Sequence, residues 1–379
     1  MEREGHIRSL RIQNFKCFED FRMENIGQFN LIVGANNAGK TSLLEALLMV
    51  EEWGDTLLFE AYLRRTASLF EKRKNNFDLA AVYRSMDKKN GAISVEFECK
   101  VGEVLKHSLN VFDFAEALKD EEIRDFFSEQ YGAQGSKMFN DNKKIIISRR
   151  GFGTDMPVQR MNTIESIPEE GRHRILPLIG VFDFYHSNLV SDYSESIQND
   201  RDTEREFLVL LDLVTPGVEA VDIYIDVNTQ KPTLGLLLKE KQSLIALSMF
   251  GDGTQRMFLL LTKLFQLKHS SVLPKTLLID EVDFGIHKSK LLNFWKVLFE
   301  LAIRLNIQLF MTTHNVECVK AFWEAFETEE IKSKFGVERD KVARHFILER
   351  DKNNIPRSYS LPLSHLGHAI ENDNNFMGR

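Results

Sequence analysis

Apolar and polar residues alternate along parts of the chain with a period of two, which is typical of a strand that buries one face. Residues 7–12 and 92–99 show this alternation most clearly. Three other stretches, residues 29–33, 277–279 and 307–311, are mainly apolar. A short apolar run of this kind predicts a strand that is buried on both faces.

Other stretches repeat apolar residues at the spacing of a helix, about 3.6 residues. The predicted helices cover residues 43–61, 61–74, 114–129, 203–213, 254–261 and 291–305. Further strands are predicted at residues 144–148, 181–185, 221–227 and 233–238. The chain has neither the sustained heptads of a long coiled-coil arm nor a repeat of fixed period.

A glycine-bounded loop, residues 34–41, lies between an apolar strand and a helix and reads Gly-Ala-Asn-Asn-Ala-Gly-Lys-Thr. This order is the context of a phosphate-binding P-loop, in which backbone N–H groups and the positive end of the helix face the phosphates. Lys40 is predicted to reach the β- and γ-phosphate oxygens, and the Thr41 hydroxyl to bind Mg²⁺. The predicted nucleotide-binding residues are Asn36, Asn37, Ala38, Gly39, Lys40, Thr41 and Ser42.

Two carboxylates, Asp280 and Glu281, follow the apolar strand at residues 277–279. The carboxyl end of a strand is where α/β proteins place their ligands. We predict that Asp280 holds Mg²⁺, directly or through water, and that Glu281 polarises the attacking water as general base. His314 follows the next apolar strand, where its imidazole is predicted to reach a γ-phosphate and to sense hydrolysis. An acidic turn and a capping histidine are the purely structural alternatives.

Residues 248–253, which read Ser-Met-Phe-Gly-Asp-Gly, precede a strongly apolar helix and have two interpretations. In the first, the exposed N–H groups and the positive helix end form a second anion site. In the second, the segment only caps the helix, with Asp252 or Thr254 as the capping residue. The residues alone do not decide between the two.

The composition excludes several classes of protein. With 379 residues, 43% of them hydrophobic, the chain is long enough for a large core or two lobes. Its net charge of −7 argues against a global basic field, although a local basic groove remains open. Cys17, Cys99 and Cys318 are far apart, which disfavours a zinc site and a disulfide framework and favours a reducing cytosol. Because there is no signal-peptide pattern and no apolar run of about 20 residues, we expect a soluble, cytoplasmic protein.

Taken together, these motifs resemble the ATPase head of ABC-type proteins, and most closely its RecF/SMC/OLD-like branch, known as AAA-15 or AAA-21. Residues 7–18 are similar to the opening strand of that branch and residues 34–41 to its Walker A motif. Residues 248–253 resemble its degenerate signature motif, although the transporters of the class have Ser-Gly-Gly-Gln. Residues 280–287 resemble its Walker B motif and D-loop, and His314 its switch histidine.

The resemblance implies an α/β fold, an ABC-type P-loop ATPase head with a mixed sheet and an inserted α/β lobe. The head is expected at residues 1–60 and 178–350, the inserted lobe at residues 61–177 and a C-terminal tail at residues 351–379. The sequence does not place the glutamine of the Q-loop.

The resemblance further implies that two heads stack head to tail, with ATP between the P-loop of one and the signature of the other. The signature residues that would act in trans are Ser248, Gly251, Asp252 and Gly253. ATP and Mg²⁺ are the implied cofactors. The metal ligands would be Thr41 and Asp280, and the catalytic residues Glu281 and His314.

OLD-family nucleases carry a C-terminal Toprim domain, and the 30 residues that follow Glu349 are too few for one. We therefore expect a switch ATPase, a homodimer or higher homo-oligomer, that controls a separate effector protein in anti-phage defence. That effector would be a nuclease or a toxin, and no membrane partner is expected. A transporter subunit fits the opening strand and the signature less well.

The alternative function is a RecF-like DNA-binding repair ATPase. It requires that scattered basic residues converge on one face of the protein. A charge run such as the one near residue 70 is more often a solvated helix face. The basic residues in question are Arg64, Arg65, Lys72, Arg73, Lys74, Lys143, Lys144, Arg149 and Arg150.

Overall fold

A computed structural model of the chain describes residues 6–50, 93–100, 103–132, 144–152, 155–163, 178–179, 189–227, 229–268, 275–372 and 375–378. The contacts divide the chain into two compact units. The first comprises Met1–Gly27, Ala35–Leu176 and Leu348–Ser360, and the second Gln28–Gly34, Pro177–Ile347 and Leu361–Arg379. Within the described ranges, no helix is both long enough and apolar enough to cross a membrane.

The strands are β1 (Ser9–Phe15), β2 (Phe18–Met23), β3 (Phe29–Gly34), β4 (Ile93–Lys100), β5 (Glu103–Asp113), β6 (Lys144–Phe152), β7 (Val158–Thr163), β8 (Leu178–Ile179), β9 (Val218–Ile225), β10 (Pro232–Leu238), β11 (Ile245–Ala246), β12 (Thr276–Ile279), β13 (Gln308–Thr312), β14 (Ala343–Arg350) and β15 (Pro356–Pro362). The helices are α1 (Lys40–Leu47), α2 (Phe114–Ala117), α3 (Glu121–Tyr131), α4 (Leu189–Tyr193), α5 (Arg201–Asp212), α6 (Asp252–Lys268), α7 (Leu291–Arg304), α8 (Val316–Glu327), α9 (Glu329–Phe335), α10 (Arg339–Val342) and α11 (Leu363–Glu371).

The first unit contains an antiparallel sheet with the strand order β2-β1-β4-β5-β6-β7. Because β1 pairs with β4, the N-terminal strands share this sheet with the strands of residues 93–163. Ile145 and Ile147 of β6, Met161 of β7 and Ile123 of α3 form an apolar cluster on it. The Asp120 side chain caps α3 by accepting a hydrogen bond from the N–H of Ile123.

The second unit is built on parallel strands in the order β8-β12-β13-β3, with β14 beside β3. Ile279 of β12 lies opposite Met311 of β13, and Thr312 lies opposite Ile32 of β3. The carboxyl ends of β12, β13 and β3 therefore lie at one edge of the sheet, the edge that binds ligands in α/β proteins. β14 runs on past Ile347 into the first unit, where β15 follows it. β9, β10 and β11 form a separate antiparallel sheet.

Aromatic side chains fill the core beside the parallel sheet. Trp295 of α7 lies 5.1 Å from Phe322 of α8, measured between ring centroids, and Phe299 lies 4.4 Å from Phe326. The Phe29 ring of β3 lies 4.8 Å from Phe299. Such ring pairs stabilise a core beyond the area they bury. They hold β3, whose end leads into the glycine-bounded loop, firmly against α7 and α8.

Most of the predicted elements are confirmed, including the apolar strands that became β3, β12 and β13. The predicted α/β class is also confirmed, with parallel pairs in one sheet and antiparallel pairs in the others. Residues 51–92 and 180–188 lie outside the described residues, and so do the helix predicted at residues 61–74 and the strand at 181–185. The domain boundaries stay a prediction, because the residues around positions 60 and 177 are likewise outside that range.

Candidate functional site

The glycine-bounded loop adopts a closed turn between β3 and α1. Asn37 and Gly39 both have left-handed backbones, with φ of 66° and 107°. The N–H of Ala38 donates to the carbonyl of Ala35 at 3.2 Å, and the Lys40 ammonium donates to the same oxygen at 3.1 Å. α1 begins at Lys40, so Thr41 and Ser42 lie in its first turn. The loop thus has the backbone of an anion-binding nest directly before a helix N-terminus.

Gly39 cannot be replaced by a larger residue without a shift. A Cβ at this position would lie 2.9 Å from the Sγ of Cys17 and 3.1 Å from the Phe18 ring, and the positive φ adds backbone strain. Burial raises the pKa of the Cys17 thiol above its usual value. Cys17, in the turn between β1 and β2, therefore packs as a neutral group against the loop.

Asp280 and Glu281 lie at the carboxyl end of β12 and are held by the neighbouring strand β13. The Thr312 hydroxyl donates to Oδ1 of Asp280 at 2.6 Å and accepts from the N–H of Glu281 at 2.9 Å. Glu281 has a left-handed backbone, with φ of 48°. One buried threonine thus orients the Asp280 carboxylate and supports an uncommon backbone at the next residue.

His314 lies beside Glu281. Its Nδ1 is 2.6 Å from Oε2 of Glu281, although the two residues are 33 positions apart in the chain. The imidazole is 63% exposed and the glutamate 28%, so solvent reaches both partners. An ionised carboxylate only accepts hydrogen bonds, which places the proton of this contact on Nδ1. The carboxylate and the imidazole belong to the two residues that the sequence predicts to be catalytic.

Asp283 fixes the loop that carries His314. Its carboxylate accepts from the Thr313 hydroxyl at 2.6 Å and from the Asn315 amide at 2.8 Å. These two donors flank His314 in the sequence. The side chain of Asn315 also caps α8 by accepting from the N–H of Glu317.

Arg256, on the helix that follows the Gly-Asp-Gly segment, donates to the carbonyl of Asp280 at 2.6 Å. It is only 4% exposed. Sequence reasoning missed Arg256, Thr312 and Asp283. A charged residue inside the apolar run of α6 is the one signal that points to Arg256, because buried charges need partners.

The Gly-Asp-Gly segment forms an exposed start to α6, which begins at Asp252. Thr254 is not the N-cap, because it lies inside the first turn of α6; its hydroxyl is bonded to the Thr215 hydroxyl at 2.8 Å. A Cβ on Gly253 would lie 2.7 Å from the carbonyl oxygen of Gly285, whereas a Cβ on Gly251 would meet nothing within 4 Å. Ser248, Gly251 and Asp252 are exposed.

The donor set suits Mg²⁺. This ion prefers oxygen ligands and is usually held by one or two protein oxygens together with substrate phosphates. Asp280 offers an oriented carboxylate of this kind, and the Thr41 hydroxyl stays a predicted ligand. In the described ranges no group of three or more His, Cys, Asp or Glu side chains could hold a metal by itself. A single oriented carboxylate fits a metal that binds together with substrate phosphates.

The basic residues of the DNA-binding alternative are only partly described. Arg64, Arg65, Lys72, Arg73, Lys74 and Lys143 lie outside the described residues. Arg149 is paired with Glu122 and donates to the carbonyl of Met156. The guanidinium of Arg150 lies over the Phe97 ring. These contacts tie both arginines to their own unit.

Two known proteins and one solved structure are similar to this chain. "ATP/GTP phosphatase" of Helicobacter pylori is 24% identical over 396 residues, which cover 98% of this chain and 100% of that protein. "DNA double-strand break repair Rad50 ATPase" of Sulfolobus acidocaldarius is 28% identical over 92 residues, 24% of this chain and 8% of that protein. An Smc head domain bound to the C-terminal domain of ScpA, from Pyrococcus furiosus, is 10% identical with a TM-score of 0.48, covering 97% of this chain and 99% of that chain.

A protein-family model matches the chain over the motifs discussed above. Its description reads "AAA domain, putative AbiEii toxin, Type IV TA system", and the match spans residues 29–319. The matched segment contains the glycine-bounded loop, the Gly-Asp-Gly segment and the pair Glu281 and His314. Since it covers more than half of the 379 residues, the chain belongs to the AAA-21 family, the ATPase family that its motifs predict.

Proposed function

We propose that this ATPase is a Mg²⁺-dependent switch that dimerises around ATP and controls a separate effector protein. The observation that carries the proposal is the contact between Glu281 and His314, 2.6 Å apart at the ends of neighbouring parallel strands. Beside it, Thr312 orients Asp280. A structural turn does not need this concentration of polar groups, whereas hydrolysis of a phosphoanhydride does.

Each residue has one task in the proposed reaction. Lys40 and the loop amides would hold the phosphates, and Thr41 and Asp280 would bind Mg²⁺, which would supply positive charge to the phosphate oxygens. Glu281 accepts a proton from the attacking water. His314 donates to Glu281 through Nδ1 and responds to the γ-phosphate when it is present or lost.

The signature segment would complete the site of a second copy. Ser248, Gly251 and Asp252 are exposed at the start of α6, where N–H groups and the helix dipole attract an anion. Their exposure supports a role toward a partner molecule. ATP bound by one copy would then be closed in by the signature of the other, and hydrolysis would release the pair.

The proposed switch acts on a separate effector protein. The groups proposed for hydrolysis, Asp280, Glu281 and His314, lie within one unit and are held by hydrogen bonds there. The family description names a toxin of a toxin–antitoxin system, which supports action alongside a second protein. We propose that the ATP state of the dimer restrains or releases a nuclease or toxin in anti-phage defence.

The experiment that tests the proposal uses Glu281→Gln. Removal of a general base slows the chemical step by about 10²–10⁴-fold and leaves nucleotide binding intact. We expect single-turnover ATP hydrolysis to fall by this factor, and dimers to accumulate with ATP and Mg²⁺ in light scattering. Glu300→Gln, an exposed substitution of the same kind on α7, serves as the control and should hydrolyse ATP at the wild-type rate.

Two outcomes would count against the proposal. Wild-type hydrolysis by Glu281→Gln would remove the role given to this residue. A wild-type protein that stays monomeric at saturating ATP, while it turns ATP over, would remove the dimeric switch.

A further inference from the structure

The P-loop is contacted by an arginine from the other end of the chain. The Nε and Nη2 groups of Arg350 both donate to the carbonyl oxygen of Asn37, at 3.1 and 3.0 Å, across 313 residues of sequence. Both residues belong to the first unit. The planar guanidinium can hold a single acceptor with two N–H groups at once, which fixes its direction as well as its distance.

Arg350 is itself anchored on the hairpin between β14 and β15. Its Nη1 donates to the carbonyl of Asn354 at 2.9 Å. Within the same turn, the Asp351 carboxylate accepts from the N–H groups of Asn353 and Ile355 at 2.8 and 3.0 Å. The N–H of Ile355, together with that of Asn353, lowers the pKa of this carboxyl below its usual value. The hairpin therefore presents the guanidinium from a turn that is held by its own hydrogen bonds.

The contact between Arg350 and Asn37 orients the whole peptide group between Asn37 and Ala38. A peptide group is planar, so the direction of the Asn37 carbonyl also sets the direction of the Ala38 N–H. That N–H closes the turn onto Ala35, whose carbonyl also receives the Lys40 ammonium. Asn37 keeps a left-handed backbone that a non-glycine residue adopts at some cost. Arg350 thus stabilises the least favourable peptide of the loop and, through it, the turn on which Lys40 rests.

We propose that Arg350 is a positioning residue for nucleotide binding, which holds the P-loop in its phosphate-binding shape from the β14–β15 hairpin. The inference rests on the proposed function, because it takes the P-loop as the ATP site. A loop that is already ordered loses less conformational freedom when ATP binds. Loss of the arginine should therefore weaken ATP binding and leave the chemical step unchanged.

The test measures the Kd of ATP with Mg²⁺ by calorimetry, and the KM and kcat of hydrolysis, in Arg350→Gln. We expect Kd and KM to rise about tenfold, as for the loss of about 1.4 kcal/mol, and kcat to stay the same. Lys352→Gln is the matched control, because Lys352 is an exposed cation in the turn of the same hairpin and its substitution leaves Asp351 and its partners in place. Arg350→Lys keeps the positive charge but not the planar group with two N–H donors. Its KM should therefore lie between those of the wild type and Arg350→Gln.

Several results would overturn the inference. The first is an ATP affinity of Arg350→Gln equal to that of Lys352→Gln. The others are a fall in kcat with unchanged KM, and full wild-type affinity of Arg350→Lys. Asp351→Ala provides a second variant, which loosens the hairpin without removing the guanidinium. It should raise KM at constant kcat, and an unchanged KM would contradict the anchoring.

Lys40→Ala separates this inference from the proposed function. If the wild type and Lys40→Ala bind ATP equally well, the P-loop is not the nucleotide site and the proposed function fails. If Lys40→Ala loses ATP binding while Arg350→Gln keeps it, only the role of Arg350 is wrong.

Discussion

At the scale of single residues, Asp283 connects two loops of the candidate hydrolytic site. It follows Glu281 by two positions, and its carboxylate accepts from residues on either side of His314. Two half-buried hydrogen bonds to one carboxylate hold the His314 backbone where Nδ1 reaches Glu281. Asp283 does not itself need to touch a nucleotide to affect the reaction.

Asp283→Ala should therefore lower kcat and leave KM for ATP unchanged. The substitution frees Thr313 and Asn315, and a displacement of a catalytic group by about 1 Å can cost about 10²-fold in rate. We expect a fall of up to this size in steady-state hydrolysis. The unsatisfied donors should also lower the free energy of unfolding by about 1–3 kcal/mol, which denaturant titration measures.

Glu317→Ala is the control for this prediction. Glu317 lies in the first turn of α8, just beyond the same loop. Its exposed carboxylate has a weak ion pair within its own helix, at 4.0 Å from Lys320. Its removal should change neither kcat nor stability. Equal kcat values for Asp283→Ala and the wild type would show that His314 needs no support from this carboxylate.

Some candidate site residues could be predicted from the sequence and others could not. The difference lies in how far along the chain their hydrogen-bond partners are. Lys40, Asp280 and His314 follow directly from short patterns, a loop or strand end with a characteristic residue. Thr312 acts on Asp280, 32 residues away, and Arg350 on Asn37, 313 residues away. Those contacts depend on which strands and hairpins become neighbours, and no local pattern contains that information.

At the scale of elements, α6 connects the signature segment to the Walker B loop within one unit. Gly253 lies so close to Gly285 that a Cβ would be 2.7 Å from its carbonyl oxygen. Gly285 has φ of 76°, and a Cβ there would lie 2.6 Å from that of Asp252. Arg256, one turn further, donates to the Asp280 carbonyl. The start of the helix and the loop after β12 therefore pack directly against each other.

Gly253→Ala and Gly251→Ala should differ in their effect on stability. Alanine at position 253 has to displace backbone, which typically costs about 1–3 kcal/mol. Alanine at position 251 enters open space. We expect only Gly253→Ala to lower the melting temperature, and both variants to lower ATP hydrolysis, because Gly251 is proposed to face the ATP of the partner copy.

Calorimetry and a steady-state assay check this pair of substitutions. If Gly251→Ala keeps both its melting temperature and its full rate of hydrolysis, the signature role of this residue is lost. If Gly253→Ala is as stable as the wild type, the backbone at Gly285 can move away to make room for the added methyl group.

Element types were predictable where the apolar pattern is strong. The run at residues 277–279 reads as a strand buried on both faces, and every residue of β12 is buried. The Gly-Asp-Gly segment was ambiguous for a physical reason, since a capping residue and an anion site both need exposed N–H groups at a helix start. The helix start at Asp252 removes Thr254 as the N-cap, because Thr254 then lies inside the first turn.

At the scale of the whole molecule, the chain passes repeatedly between its two units, and one of these crossings falls inside the P-loop motif. Gly34 belongs to the second unit and Ala35 to the first. The motif is therefore divided between residues that the contacts assign to different units. The proposed dimer would add residues of a second chain to each ATP site. This makes a prediction that single variants cannot test.

Mixing two inactive variants should restore hydrolysis if the signature acts in trans. Glu281→Gln damages the catalytic side of a site, and Gly251→Asp damages only the side offered to the partner. A mixed dimer then has one site with both defects and one intact site. At equal concentrations we expect about a quarter of the wild-type rate, since about half of the dimers of a two-fold symmetric protein are mixed and each has one working site of two.

A mixture of Glu281→Gln with Lys40→Ala is the control, because both defects lie on the same side and no intact site forms. Equal rates in the two mixtures, with mixed dimers confirmed by mass spectrometry, would mean that the signature does not serve the partner's ATP.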